Sequence, residues 1–186
     1  DPHTHIGMER SGEPGSENEV NEHLDSINPV PDALDSVQME DKAFKESIEM
    51  GVLYSCVTPG SGNIIGGLTA VIRNYGKNTL EALFDRAGIK GAFGYNTYYD
   101  KSGWQGTRPT TRMGTTAFLK SKLINVKNKI RKYENADKDK KKEMSFNAEE
   151  TVFRDVLTGK QRLRIHVHKT DDIASILRIA DEFSLN

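Results

Sequence analysis

The sequence lacks a second cysteine, a long apolar run and an excess of charge of either sign. Cys56 is the only cysteine, so an intrachain disulfide is excluded, and a low cysteine content is typical of a cytoplasmic protein. No apolar run reaches the roughly 18–20 residues that cross a bilayer, so no membrane partner is expected. Basic and acidic residues number 26 and 27, whereas a nucleic-acid partner would require a basic excess.

The composition is that of a globular domain with a core of its own. The chain has 186 residues, of which 35% are hydrophobic and 28% are charged. Cys56 lies within the apolar run 51–57, which predicts a buried structural thiol rather than a reactive one, since a reactive thiol needs a basic and partly open surrounding.

Hydrophobic periodicity divides the chain into helices and strands separated by long polar loops at 6–38 and 96–111. Apolar residues at helical spacing predict helices over 40–50, 113–133, 149–157 and 171–183. Short apolar or alternating runs predict strands over 52–57, 68–72, 88–95 and 163–167. The charged run 137–143 is interpreted as a solvated helix face or loop. This order is typical of an α/β protein with parallel strands.

Four of the five histidines form two His-X-His pairs, His3 with His5 and His166 with His168. On an extended backbone the two imidazoles of a pair project to the same side. Imidazole is a good ligand for zinc, copper, iron and nickel, so each pair is a candidate metal chelate. One such pair arises readily by chance, and the residues alone leave a metal site and a chance arrangement open. His23 falls in a polar loop and is interpreted as a surface residue.

Four segments carry a resemblance to a known family. Asp1–Gly7 resembles the first-strand motif of the amidohydrolase superfamily, and the other three segments sharpen this resemblance: 57–67, 109–114 and 163–173. Together they are similar to the branch usually called imidazolonepropionase-related amidohydrolases. The resemblance runs through the whole chain.

The resemblance implies a (β/α)₈ TIM-like barrel of the metal-dependent hydrolase type. Members of the superfamily carry a small β-sandwich on the barrel and hydrolyse amide or related C–N bonds with one or two metal ions. A whole barrel takes about 250 residues. Residues 1–186 are therefore expected to form the N-terminal portion of the barrel domain, truncated after about the fifth strand, with the β-sandwich and the last strands absent.

The same resemblance assigns roles to individual residues. His3 and His5 match the two metal ligands of the first strand, and His166 matches the ligand of the fifth strand; the expected ion is a divalent metal, most readily Zn²⁺. His168 is implied to orient a ligand or to face the substrate. Asn63 and Arg112 lie on loops expected to overhang the site and are predicted to contact the substrate.

Two departures from the family pattern bear on the chemistry. The aspartate that serves as general base follows the eighth strand, so it is expected beyond Asn186 and no catalytic residue is assigned within this chain. Where the branch is expected to carry Gly-Glu-Asn, this chain has Gly94, Tyr95 and Asn96. Tyrosine cannot bridge two metals as a carboxylate does, which argues against a binuclear centre.

The expected function is a hydrolase in which metal-activated water attacks the carbonyl carbon of a small-molecule amide or cyclic amide. The alternative is a non-catalytic or degenerate metal-binding fragment, or an assembly module, of an amidohydrolase. Dipeptide cleavage and deacetylation stay open as reactions because fold does not decide substrate. A homo-oligomer also stays open.

Overall fold

The structure, a computed structural model, describes residues 1–9, 14–99 and 102–185. It is a mixed α/β fold around one curled four-stranded sheet with the order β1-β2-β3-β4. The strands are β1 (Tyr54–Val57), β2 (Ile65–Arg73), β3 (Leu83–Ala92) and β4 (Leu163–His166). The helices are α1 (Ala33–Ser36), α2 (Lys42–Glu49), α3 (Thr79–Ala82), α4 (Arg112–Asn135), α5 (Lys138–Glu143), α6 (Ala148–Leu157) and α7 (Thr170–Phe183), with single 3₁₀ turns at Gly15–Glu17 and Tyr95–Thr97.

The strand directions correct one prediction. A parallel sheet is wrong for the first three strands, because β1 pairs antiparallel with β2 and β2 pairs antiparallel with β3. The connections 58–64 and 74–82 are short, whereas a parallel crossover takes about a dozen residues or more. Only β3 and β4 are parallel, and the segment between them contains the long helix α4 and the helices α5 and α6.

The N-terminal residues lie along the free side of β1. Thr4 forms a parallel bridge with Val57, with backbone hydrogen bonds from Thr4 N to Cys56 O (3.1 Å) and from Thr58 N to Thr4 O (3.0 Å). Because side chains alternate along an extended segment, this bridge sets the residues on both sides of Thr4 beside the carboxyl end of β1. His3 and His5 are thereby held at a fixed place on the sheet.

All of the described α-helices except α7 begin at a side chain that caps them. Thr111 caps α4, and Asn147 and Glu150 form a reciprocal capping box at the start of α6. The four predicted helices are confirmed as α2, α4, α6 and α7. The predicted long loop over 6–38 is interrupted at α1, where the Asp32 carboxylate accepts a hydrogen bond from Leu34 N and caps a single turn.

Two apolar clusters form the core. The first joins one face of β3 and β4 to α4, α6 and α7; its fully buried members include Ile64, Ile89, Leu119, Leu123, Phe153, Val156 and Ile179. The second packs the N-terminal loops against β1 and β2; it includes Met8, Leu34, Phe44, Val57, Ala70 and Ile72. Cys56 is 4% exposed, which confirms the buried thiol. Within the described ranges, no helix combines the length and the apolar character that crossing a bilayer requires.

Candidate functional site

The second face of β3 and β4 is polar. In the parallel register, Lys90 is opposite Arg164 and Ala92 is opposite His166. These residues share one face of the sheet because side chains alternate along each strand. Ile89 and Ile165 occupy the other face and belong to, or pack on, the first apolar cluster. The alternation thus aims a lysine, an arginine and a histidine away from the helices.

A cavity of about 400 Å³ opens on this polar face. Its described lining residues come from the N-terminus, from the end of β1 and from β3 and β4; they are Pro2, His3, Thr58, Lys90, Arg164, Ile165, His166 and Val167. The fold therefore brings His3 and His166, which lie near opposite ends of the sequence, to one cavity. No carboxylate occurs among these lining side chains.

His5 is next to His3, whose side chain lines this cavity. The two ring centroids are 5.5 Å apart in an edge-to-face arrangement. His5 Nδ1 lies 2.8 Å from Thr58 O, and since a carbonyl oxygen only accepts, Nδ1 carries the proton and donates. This hydrogen bond fixes the tautomer of His5 and leaves Nε2 as the lone-pair nitrogen.

His166 and His168 contact each other directly. Their Nε2 atoms are 2.8 Å apart and their rings meet edge to face. The amide nitrogen of Asn96 lies 3.3 Å from the same His166 Nε2. Because an amide nitrogen only donates, His166 Nε2 is the acceptor, and its one lone pair is shared between the N–H groups of Asn96 and of His168 Nε2. His168 is therefore placed to orient His166, and its role towards a ligand stays a prediction.

The surroundings keep two imidazoles neutral. Burial is the main cause that lowers the pKa of His166 to about 4, with smaller electrostatic contributions from His168, Lys90, His3 and His5. Burial, and then Lys90, also lowers the pKa of His3. A neutral imidazole offers the lone pair that metal coordination needs, and His166 retains it at any pH well above 4.

Lys90 is the largest fully buried side chain in the described part of the chain, with 1% of its surface exposed. Its ammonium group donates to Pro59 O at 2.8 Å and to the Ser61 hydroxyl at 3.2 Å. Burial lowers its pKa from 10.5 to about 8, so the group is mainly protonated at neutral pH. Lys90 thus holds the glycine-rich loop that follows β1.

Asn63 lies in the same loop and is 1% exposed. Its amide nitrogen donates to Glu22 O at 2.8 Å and to Asp25 O at 2.7 Å, which ties the N-terminal loop to the end of β1. Its amide oxygen is buried without a hydrogen-bond partner. The predicted contact of Asn63 with substrate stays a prediction, and the observed contacts are with the backbone.

The Trp104 ring packs against Gly62 in the glycine-rich loop 58–64 that follows β1. A Cβ atom at Gly62 would collide with the Trp104 ring, which explains why this position carries no side chain. Trp104 stacks on His23 at 4.1 Å between centroids, and the Arg108 guanidinium lies 4.6 Å from the centre of the indole. His23 is exposed, which confirms its surface position.

Arg112 lies at a different cavity from the histidines. That cavity, of about 680 Å³, is between α4 and α7, and Arg112 lies 3.4 Å from the nearly buried Asp172 there. The role of Arg112 as a substrate contact stays a prediction. Tyr95 is half exposed and stacks on Tyr99 with 4.1 Å between ring centroids.

The donors at the histidine cavity suit a cation that prefers imidazole. His5 has a fixed tautomer, and His3 and His166 have lowered pKa values, as metal-binding histidines require. Within residues 1–9, 14–99 and 102–185, no three histidine, cysteine, aspartate or glutamate side chains are arranged to hold one ion together. Binding through His166 Nε2 would also exchange its hydrogen bond with His168 for a metal bond. The chemistry of the donors fits, and the ligand roles of His3, His5 and His166 stay predictions.

Three polar cavity residues carry no role in the sequence analysis: Lys90, Thr58 and Arg164. Lys90 had a usable signal, because a lysine inside the apolar run from Ile89 to Phe93 must either pair with a partner or face a cavity. Thr58 had none, since a threonine after a strand is common in loops. Arg164 alternates with Leu163 and Ile165, which indicates a polar face but not what that face adjoins.

Comparisons with known proteins point to one superfamily. No protein-family model and no curated protein matches the sequence. Among solved structures, the crystal structure of an amidohydrolase from Thermotoga maritima MSB8 is similar, with 34% sequence identity and a TM-score of 0.88. The match covers 100% of this chain and 49% of that protein, so the chain spans about half the length of its neighbour. This likeness supports the amidohydrolase superfamily and, at that level, a hydrolase.

Proposed function

We propose that this chain is part of a metal-dependent hydrolase that cleaves an amide or cyclic amide C–N bond with activated water. The observation that supports it is that His3 and His166, from distant segments, line one cavity, with His5 beside His3, in a chain 34% identical to an amidohydrolase. The ion we propose is a divalent metal, with Zn²⁺ favoured by the imidazole donors. The imidazolonepropionase-related branch and a cytoplasmic location belong to the same proposal.

His3, His5 and His166 would hold the ion. When bound, a divalent cation supplies a Lewis acid that lowers the pKa of water and polarises a carbonyl oxygen. The chain's own residues prepare that site: Thr58 O fixes the His5 tautomer, and His168 and Asn96 orient the His166 ring. Lys90 holds the loop after β1 in place beside the cavity.

Proton transfer needs a further group. The cavity lining contains no carboxylate within the described residues, and we propose that the general base is an aspartate outside this chain. Because the chain spans about half of the similar amidohydrolase, the activity and the substrate of the whole protein are part of this proposal. Asn63 and Arg112 are proposed as substrate contacts.

A non-catalytic metal-binding role is the second candidate. Its favouring observation is that the cavity lining contains no carboxylate within the described residues. Under this alternative the histidines retain zinc and no amide is hydrolysed. Zinc content and turnover, measured on the same preparation, separate the two candidates.

The test uses the protein in its full-length context. We expect elemental analysis to find zinc in the wild type and to find it lost from His3→Ala and His166→Ala, since each variant removes a ligand. His23→Ala is the matched control, because His23 is exposed and outside the cavity. A panel of N-acyl amino acids, dipeptides and imidazolones then measures hydrolysis. Full zinc content in His3→Ala would contradict the proposal.

A further inference from the structure

The glycine-rich loop contributes to the wall of the histidine cavity and is held in place by other parts of the chain. Thr58 lines that cavity, whereas Gly60 and Gly62 have no side chains with which to anchor the loop. Gly60 N donates to Val20 O at 2.7 Å, and Gly62 N donates to the side-chain oxygen of Asn21 at 2.9 Å. The conformation of the glycine-rich loop therefore depends on the N-terminal loop.

The N-terminal loop is held in turn by residues 102–108, which we call the strap. Gln105 N donates to His23 O at 2.8 Å, and the Arg108 guanidinium donates to the same oxygen at 2.7 Å. Arg108 Nε also donates to Gln105 O at 2.7 Å, which fixes the bend of the strap. The strap is thus fastened by hydrogen bonds to the segment that holds the glycine-rich loop.

Trp104 is the residue of the strap that contacts both of these loops. Its ring lies so close to Gly62 that a Cβ atom there would collide with it. The same ring stacks on His23, with 4.1 Å between centroids and 22° between planes, and the Arg108 guanidinium lies 4.6 Å from its centre. An indole buries a large rigid area and attracts a guanidinium at its face. Trp104 therefore joins the strap to the two loops at one point.

We propose that Trp104 is a positioning residue that fixes the glycine-rich loop and, with it, the part of the cavity wall that Thr58 forms. This assignment rests on the proposed hydrolase function, for which the loop also supplies Asn63 as a substrate contact. Glycines leave many backbone conformations open to the loop, and the ring excludes those in which Gly62 occupies its space. A fixed wall favours ligand binding because less conformational entropy is lost when the ligand binds.

Hydrogen–deuterium exchange of the full-length protein, followed by mass spectrometry, measures how firmly the loop is held. Trp104→Ala removes the ring, and we expect the amides of Gly60 and Gly62 to exchange about tenfold faster, because their hydrogen bonds then open more often. Trp104→Phe retains an aromatic ring and should restore most of the protection. The amide of Ile89 in β3, which donates to Arg162 O at 2.8 Å, should exchange as in the wild type.

Phe84→Ala is the matched control for Trp104→Ala. Phe84 is 57% exposed near the amino end of β3, meets Tyr54 edge to face and lies 5.3 Å from the Arg73 guanidinium, so its contacts are of the same kinds. Its removal should leave exchange in the glycine-rich loop unchanged. Wild-type exchange of this loop in Trp104→Ala would overturn the positioning role. If that variant failed to fold, Trp104→Leu, which retains apolar volume but no ring, would decide in the same way.

Kinetic constants separate a positioning role from a merely structural one. With the amide that the substrate panel identifies, Trp104→Ala should raise KM about tenfold and leave kcat within about twofold, since the loop contacts the substrate. Trp104→Phe should return KM to within about threefold of the wild-type value. Faster exchange of the loop with an unchanged KM would refute the role in substrate binding.

Zinc content separates this inference from the hydrolase proposal. It should equal that of the wild type in each Trp104 variant, because the site histidines are unaltered. Faster loop exchange in Trp104→Ala, in a protein whose wild type hydrolyses no amide, would support the positioning of the loop and contradict the hydrolase. Full amide hydrolysis with wild-type exchange and KM in Trp104→Ala would leave the hydrolase standing and overturn the inference.

Discussion

The two faces of the β3–β4 pair differ in the residues they carry and in what packs against them. One face carries Ile89 and Leu163 and packs against α4, α6 and α7 in the first apolar cluster. The other carries Lys90, Arg164 and His166 and borders an open cavity. Neighbouring residues on one strand therefore serve opposite purposes: the apolar ones stabilise the fold, and the polar ones are held in place by it.

Ion pairing sharpens the contrast. On the helical side, lysines meet glutamates: Lys122 with Glu149 and Lys129 with Glu150, each at 2.6 Å. On the cavity side, Lys90 meets only neutral acceptors. The partly exposed lysines on the helical side thus have negatively charged partners, whereas the buried Lys90 has neutral ones. Stability alone would favour the reverse, because an unpaired charge costs more when it is buried. This reversal is typical of a site that exists to bind something.

The largest effect is expected on the helical face. Leu123 of α4 is fully buried in the first apolar cluster, so Leu123→Ala should lower the free energy of unfolding by about 3 kcal/mol through lost burial and a cavity. The neighbouring Ile124, 42% exposed, provides the control. Ile124→Ala should cost less than about 1 kcal/mol in the same denaturant titration. Equal losses in the two variants would contradict the assignment of this face as the core.

On the cavity face, stability should depend on pH through Lys90. Burial lowers the pKa of folded Lys90 from 10.5 to about 8, so between these values the unfolded chain binds more protons than the folded one. The free energy of unfolding should then rise as pH increases from 8 to 10.5, by on the order of 3 kcal/mol in total. Lys90→Met should lack this rise.

The comparison is made by denaturant unfolding across that pH range, as the difference between each variant and the wild type. Lys45→Met is the control, because Lys45 is exposed and its removal should leave the pH dependence unchanged. A rise of the same size in Lys90→Met would show that Lys90 ionises in the folded protein as it does in water.

Periodicity predicted the helical face well. The stripe through Leu119, Leu123 and Val126 predicted α4 and its buried side, and the structure confirms both. The alternation in 163–167 likewise predicted β4. These elements could be predicted from the sequence because each is determined by the local spacing of apolar residues and by the burial of one face.

Only part of the cavity face could be predicted from the sequence. Histidine spacing identified the residues at its rim, whereas the roles of Lys90 and Thr58 depend on the order of strands, which the sequence did not reveal. The predicted parallel arrangement missed that β1, β2 and β3 form an antiparallel meander, because apolar runs carry no information about direction. Contacts between distant loops, such as Asn63 with Glu22 O, depend on the same tertiary arrangement.

The smallest effect is expected from the ion pairs on the helical side. The side chains of Lys122 and Glu149 are 42% and 34% exposed, and water and salt screen such a pair. Lys122→Met should change the free energy of unfolding by less than about 1 kcal/mol at low salt. In about 1 M sodium chloride, where the screening length falls to about 3 Å, the change should vanish. A loss that persists in high salt would mean that the Lys122 stem contributes packing between α4 and α6, so that even the solvated charges of this face stabilise the protein mainly through burial.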